Sequence, residues 1–186
     1  MHGAFILARG RFAAALLGLL GVLSGLLGGC SPALDWREVR LAGPGLVAMF
    51  PCRPVGQTRQ LTLAGTAVTM TLQACEAADR TFAVGLADMG DPAAVDAGLQ
   101  ALRDASLAKS GGTAQPAVSE WSVEGMTPQP AAGRWQLSQP QPAGGAVHVD
   151  TAVFARGTWV VQATVIAKTA GAAANAPFFE GLRLTP

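Results

Sequence analysis

Alternation of apolar and polar residues between positions 60 and 73 limits the fold more than any other feature of the sequence. The apolar residues stand at every second position on either side of an Ala64-Gly65 pair: Leu61, Leu63, Val68, Met70 and Leu72. A period of two places alternate side chains on opposite faces of a strand, and the Ala-Gly pair can turn the chain. The segment therefore predicts an antiparallel hairpin with one buried face.

Other apolar stretches predict the remaining strands, at about 36–40, 46–50, 82–86, 118–123 and 134–138. A second hairpin is predicted between Ala146 and Ala167, turning near Arg156-Gly157, with two neighbouring registers that differ by one residue. If that turn has two residues, Phe154 faces Trp159 across the strands. Both faces of this hairpin carry apolar residues, which indicates a central place in the sheet.

Two segments have helical signals. Asp91 is a suitable N-cap, Pro92 fits the first turn, and apolar residues then recur at helical spacing, which predicts a helix over about 92–110. A short closing helix is predicted with Asn175 or Ala176 as its cap and Pro177 in its first turn, so that Phe179 and Leu182 point into the core. Together these elements predict an α+β fold, an antiparallel β-sheet of about six to seven strands with both helices packed on it.

The N-terminal segment has the features of an export signal. Arg9 and Arg11 precede an apolar run over residues 12–27, which is rich in Gly and ends in small residues. A membrane-spanning helix needs about 20 apolar residues, and this run is shorter. A positive flank, a short apolar core and a small-residue end are typical of a secretory signal, so residues 1–29 are predicted to be removed.

The end of this segment carries a more specific pattern. Leu27-Gly28-Gly29-Cys30 resembles a lipobox, the motif at which bacterial lipoproteins are cleaved and acylated. The resemblance implies that Cys30 carries a lipid such as palmitate and anchors residues 36–186, one α+β domain, through a tether at 30–35. Ser31 stands where an Asp would resemble an inner-membrane retention signal, which favours the outer membrane. The alternatives are an ordinary signal with a chance cysteine and a retained anchor helix.

Two further cysteines, Cys52 and Cys75, remain after Cys30. In the oxidising periplasm two such thiols predict a disulfide, and two free buried thiols are the alternative. His148 is the one histidine after residue 29, and no Cys-x-x-Cys pair occurs. Zinc sites need more ligands than this, so neither a metal nor a cofactor is predicted.

Several short stretches resemble a group of uncharacterised proteobacterial lipoproteins: Trp36-Arg37-Glu38-Val39, Phe50-Pro51-Cys52-Arg53-Pro54 and Phe178-Phe179-Glu180-Gly181-Leu182-Arg183-Leu184. The order of elements is also similar to that of the PsbP/Mog1-type α/β/α sandwich. That superfamily is used mostly for docking on other proteins, so the resemblance implies a binding module. A fold alone does not carry function.

The best catalytic fragment in the sequence is His148 with Asp150, which point to the same side of one predicted strand. No nucleophile can be named beside it, and a surface pair on a solvated face is the simpler interpretation. The sequence has four Trp that could line a groove for a sugar or peptide: Trp36, Trp121, Trp135 and Trp159. Trp side chains more often lie in or beside the core.

The charge pattern excludes some functions. Thirteen Lys and Arg against twelve Asp and Glu give a formal net charge of +1, and no basic cluster stands out. Nucleic-acid binding needs a concentrated positive face, so it is not predicted. The sequence predicts a membrane-anchored envelope lipoprotein that binds a protein partner without catalysis. The alternatives are an envelope hydrolase using His148 and Asp150, and a carrier of a small apolar ligand between sheet and helix.

Overall fold

The computed structural model describes residues 34–110, 114–116, 121–142 and 144–185, and these residues contain ten strands in two antiparallel sheets. The strands are β1 (Arg37–Leu41), β2 (Leu46–Phe50), β3 (Val55–Leu63), β4 (Thr66–Ala77), β5 (Arg80–Asp88), β6 (Ala114–Pro116), β7 (Gly133–Pro140), β8 (Ala146–Arg156), β9 (Trp159–Ala167) and β10 (Arg183–Leu184). The helices are α1 (Val95–Ala108), which follows a 3-10 turn at Pro92–Ala94, and α2 (Ala172–Glu180).

The main sheet has seven strands in the order β3-β4-β5-β9-β8-β7-β6, and the small sheet has the order β1-β2-β10. The predicted α+β class is therefore confirmed, and the main sheet has the expected number of strands. The β8–β9 hairpin lies in the middle of it, as its apolar faces predict. The small sheet is not predicted, because its third strand has only two residues and comes from the other end of the chain.

The first predicted hairpin is confirmed in position and register. Leu61 lies opposite Val68 across β3 and β4. At the turn, Ala64 and Gly65 have φ values of 50° and 82°. Two successive residues in the left-handed region form the turn that matches the twist of a two-residue hairpin.

The second predicted hairpin is confirmed in its strands, and its turn takes the second of the two neighbouring registers. Arg156 pairs with Trp159, so the two turn residues are Gly157 and Thr158. Gly157 has φ of 57° at the first turn position, where an arginine would be strained. Phe154 therefore faces Val161, and Trp159 faces Arg156, so the expected direct pairing of Phe154 with Trp159 does not occur.

The main sheet is covered on both faces. One face packs on α1 through residues such as Val95, Leu99 and Val160. The opposite face packs on the small sheet and α2 through residues that include Phe50, Phe82, Phe154, Phe178, Phe179 and Leu182. The predicted placement of Phe179 and Leu182 in the core is thus confirmed, and the two helices lie on opposite faces.

The helix boundaries differ from prediction at the C-terminus. Asp91 Oδ1 accepts a hydrogen bond from the Ala93 amide at 2.9 Å and caps the first helical segment as predicted. In contrast, α2 begins at Ala172, before the predicted caps, because a run of alanines favours helix there. Asn175 is consequently a buried interior residue instead of a cap, and Pro177 lies inside the helix.

The predicted strand at 118–123 lies partly outside the described residues, and Trp121, Ser122 and Val123 are not in a strand. The next backbone pairing is a single bridge between Thr127 and Ala155. Pro128 and Pro130 end that pairing because proline lacks the amide donor that a ladder needs. The strand predicted at 134–138 is confirmed as the longer β7.

Candidate functional site

The predicted signal segment and the lipidated Cys30 lie outside the described residues. In the part of the chain that the structure covers, no helix combines the length and apolarity needed to cross a bilayer. Cys52 and Cys75 are joined in a disulfide with their Cα atoms 6.0 Å apart. Since Cys52 follows β2 and Cys75 lies in β4, the bond fastens the end of the small sheet to the main sheet.

The predicted His148–Asp150 pair lies on the face of β8 that packs towards α2. Asp150 is 3% exposed, so the interpretation of a solvated surface pair is wrong for this residue. Asp150 lies opposite Gln136 and Val165, and its carboxylate points under α2. His148 lies two residues nearer the N-terminal end of β8 and is half-buried. It lies opposite Ser138 in β7 and Ala167 in β9.

Asp150 forms an ion pair with Arg134. Arg134 donates from Nε to Oδ1 at 2.8 Å and from Nη2 to Oδ2 at 2.7 Å. The two side chains are only 10% and 4% exposed. This two-bond geometry is the strongest form of a carboxylate–guanidinium contact. Among the described residues, no hydrogen bond joins Asp150 to His148.

The ion pair continues into α2 and β5. Asn175 donates from Nδ2 to Asp150 Oδ2 at 3.3 Å, and Arg80 donates from Nε to Asn175 Oδ1 at 3.1 Å. The Arg134 guanidinium also lies 3.9 Å from the centre of the Phe179 ring, a cation–π contact. The four polar side chains therefore fasten α2 to the sheet, which is a structural use of Asp150.

Sequence reasoning missed this network because its members are far apart in the chain. Arg134 and Asp150 are separated by 16 residues, and Arg80 and Asn175 by 95. The one available signal was an acidic residue inside the strongly apolar strand β8, since a buried charge requires a partner. Nothing in the sequence identified Arg134 as that partner.

The four tryptophans do not line one groove. Trp36, Trp121 and Trp159 pack against the core that faces α2, whereas Trp135 packs against the core under α1. Trp36 makes an edge-on contact with Phe82, with ring centres 6.2 Å apart, and so it fills core space. A ligand site formed by all four rings is therefore excluded by their positions on opposite faces of the sheet.

Other acidic side chains that could serve in catalysis or metal binding are Asp88, Asp91, Glu120 and Glu124. Asp88 accepts a hydrogen bond from the Gly90 amide at 2.9 Å in a turn, and Asp91 caps the helix. Glu124 is exposed, and Glu120 lies outside the described residues. Among the residues that the structure covers, no three His, Cys, Asp or Glu side chains are grouped closely enough to hold a metal ion.

The predicted apolar ligand space between sheet and helix is filled by side chains such as Val95, Leu99 and Val160, each 0% exposed. A cleft of about 430 Å³ lies elsewhere, at the end of the sheet beside the β4–β5 turn. Its lining includes four charged residues, which do not suit an apolar ligand: Glu76, Asp79, Arg80 and Lys168.

The free edge of the main sheet at β3 is the remaining candidate site. β3 has nine residues, and each residue from 55 to 60 is exposed. It pairs with β4 on one side, and no described strand pairs with its other side. An unpaired edge of this length presents a row of backbone donors and acceptors to another chain.

The other sheet edges in the described part of the chain are protected. β6 has three residues and ends in Pro116, and β10 has two residues. β1 carries the charged residues Arg37, Glu38 and Arg40, and Glu38 forms ion pairs with Arg40 and Arg183. Short length, proline and charge are the usual means by which edges avoid pairing. In contrast, β3 contains one charge, Arg59, and its ladder with β4 has no bulge.

Comparisons with protein-family models, with curated proteins and with solved structures found no match to this chain. The fold and the candidate site therefore rest on the geometry described above. The resemblance to proteobacterial lipoproteins and to the PsbP/Mog1-type sandwich stays a prediction.

Proposed function

We propose that the protein is a bacterial envelope lipoprotein whose folded domain binds another protein chain. The anchor is the acylated Cys30, and the domain faces the periplasm, with the outer membrane favoured by Ser31. The observation that carries the binding role is the open edge of β3, because protein–protein recognition by strand addition needs such an edge.

The geometry favours binding over an envelope hydrolase. Catalysis by His148 needs a carboxylate to orient its ring, and Asp150 is already held by two hydrogen bonds from Arg134. The carboxylate accepts a third hydrogen bond from Asn175 and, in the described part of the chain, none from His148. Rotating it towards His148 would weaken its contact with the buried guanidinium of Arg134, which is costly. The free backbone of β3 needs no such rearrangement before it can act.

The anchor is supported by the pattern Leu27-Gly28-Gly29-Cys30 and by the disulfide between Cys52 and Cys75. A disulfide is typical of exported proteins, since cytosolic thiols are kept reduced. A lipidated cysteine also holds a protein on a bilayer without a membrane-spanning helix when two or more acyl chains are attached.

Replacing Cys30 by serine is expected to abolish lipid attachment, because serine lacks the thiol that is acylated. The chain would be expressed in a bacterial host fed an azide-bearing palmitate analogue, and the label would be read on a gel after membrane fractionation. The wild-type chain is expected to carry the label, and the Cys30→Ser chain none. The double variant Cys52→Ser/Cys75→Ser is the matched control and should keep the label. Palmitate on the Cys30→Ser chain would contradict the proposed anchor.

The binding role is tested by placing a photo-crosslinking residue at the edge of β3. With p-benzoylphenylalanine in place of Gln60, irradiation of intact cells is expected to give a protein adduct, because the outer side of β3 is open to a partner strand. The same residue in place of Asp104 on α1, whose side chain is 63% exposed, controls for random collisions. Equal yields at the two positions, or none at Gln60, would remove the support for binding at this edge.

A further inference from the structure

We infer that the occupant of the β3 edge is a second copy of this chain. The two β3 strands pair antiparallel about a two-fold axis at Thr58, which joins two seven-stranded sheets into one of fourteen strands. This inference rests on the proposed protein-binding function and names its partner. Three features of β3 carry it: the direction of its free backbone groups, the order of its side chains and the absence of edge protection.

The turn after β3 determines which backbone groups are free. In a two-residue hairpin the residues that flank the turn are hydrogen-bonded to each other, here Leu63 and Thr66. Hydrogen-bonded and non-bonded pairs alternate along an antiparallel ladder, so the odd-numbered residues of β3 direct their amides and carbonyls to β4. The even-numbered residues direct theirs to the open edge: Gly56, Thr58, Gln60 and Thr62.

A two-fold axis at Thr58 uses these free groups directly. Thr58 then forms a hydrogen-bonded pair with Thr58 of the second copy, and Gly56 pairs with Gln60 on both sides of the axis. Each of these residues has both its amide and its carbonyl on the open edge. The pairing therefore satisfies backbone groups that are otherwise left to water, and it disturbs none of the hydrogen bonds between β3 and β4.

The side chains of β3 favour this register. With the axis at Thr58, Val55 faces Leu61 and Gln57 faces Arg59 of the second copy. Val55 is 75% exposed in the single chain, so the pairing covers the most exposed large apolar side chain in the described residues. Apolar residues meet apolar residues, and Arg59 meets an amide oxygen that it already approaches within its own chain, at 3.4 Å.

Neighbouring registers match less well. An axis at Arg59 places two arginines directly opposite each other, and like charges in that position destabilise a sheet. An axis at Gln60 places Arg59 opposite Leu61, and an axis at Gln57 places Arg59 opposite Val55. The sequence of β3 is thus self-complementary in the register centred on Thr58.

Cysteine crosslinking tests the register. In a hydrogen-bonded antiparallel pair the Cα atoms lie about 5.5 Å apart, within the range of a disulfide. The full-length Thr58→Cys chain in its membrane is therefore expected to form a disulfide dimer under mild oxidation. The matched control is Gln60→Cys, whose two copies would have their Cα atoms about 14 Å apart and should not link. The unsubstituted chain shows the background from its native cysteines.

Proline substitution tests the hydrogen bonds. Thr58→Pro removes an amide that faces the open edge and leaves the ladder to β4 intact, whereas Thr58→Ala keeps that amide. For the detergent-solubilised protein, sedimentation is expected to show dimers for wild type and Thr58→Ala. Thr58→Pro should weaken association at least about tenfold, since each dimer loses two hydrogen bonds. Unchanged circular dichroism spectra would show that all three chains are folded.

The outcomes separate this inference from the proposed function. A photo-adduct at Gln60 with twice the mass of the chain supports a second copy, and an adduct of another mass overturns it while the binding role stands. A Gln60→Cys dimer without a Thr58→Cys dimer overturns the register. Monomeric wild-type protein in sedimentation, with no adduct at Gln60, contradicts both the inference and the proposed function.

Discussion

Replacing Asp150 by alanine is expected to lower the free energy of unfolding by about 3–5 kcal/mol, the range measured when one member of a buried ion pair is removed. Arg134 and Asp150 are 10% and 4% exposed, so solvent screening does little to reduce the effect. The variant would leave a guanidinium inside the domain with no counter-ion. Urea unfolding followed by tryptophan fluorescence measures the change.

The effect should come from the unpaired charge and not from the loss of an attractive contact. The double variant Asp150→Leu/Arg134→Met removes both charges and keeps similar side-chain volumes, and so it is expected to regain most of the lost stability. Asn175 still has Arg80 as a partner in that variant. If the double variant is as unstable as Asp150→Ala, the cost lies in the packing around Asp150 and the assignment is wrong.

His148 provides the control for the ion-pair prediction. It is half-buried and lies two residues from Asp150 on the same face, but it forms no hydrogen bond with that carboxylate in the described structure. His148→Ala is therefore expected to change stability by much less than Asp150→Ala. It should also leave the Arg134–Asp150 pair in place.

Sequence patterns predicted the elements whose boundaries depend on residues that are close together in the chain. The alternation between positions 60 and 73 gave the first hairpin and its turn, and Asp91-Pro92 gave the start of the long helix. These signals act over a few residues, so they can be read without the rest of the fold. The sequence left the turn of the β8–β9 hairpin open by one residue, because Arg156-Gly157 and Gly157-Thr158 both contain the required glycine.

Contacts between distant parts of the chain could not be predicted. The small sheet needs β10 beside β2, with Arg183 opposite Val47 and Leu184 opposite Leu46. No periodicity in a two-residue strand indicates such a partner. The same reason applies to the polar network, because Arg134 and Asn175 reach Asp150 from separate elements.

The open edge at β3 is a different case. Residues 60–63 of its strand were predicted, whereas residues 55–59 were not. A strand's neighbours are not a property of its own sequence, and only the strand order shows that β3 is terminal. Once the order is known, the sequence becomes informative again. The lack of proline, lysine or a bulge within β3 is then a sign that this edge is left available.

The second large effect is expected from the disulfide. The double variant Cys52→Ser/Cys75→Ser should lose about 3 kcal/mol of stability, the value for a loop of this length from chain entropy. The bond lies where the chain leaves β2 and enters β3, and it fastens that point to β4. Without the disulfide the unfolded chain has more conformational entropy, which lowers the free energy of unfolding. Urea unfolding of the double variant and of the wild type, each with and without reductant, measures the difference.

Reductant separates the disulfide from side effects of the substitutions. Wild-type protein treated with reductant in urea should unfold at the same urea concentration as the double variant, and reductant should leave the double variant unchanged. A wild-type transition that ignores reductant would show that the thiols are free, which was the alternative for Cys52 and Cys75. The single variants Cys52→Ser and Cys75→Ser should match the double variant in stability, since each of them also lacks the disulfide. Each single variant keeps one unpaired thiol of this pair, and that thiol can form a mixed disulfide that the double variant cannot form there.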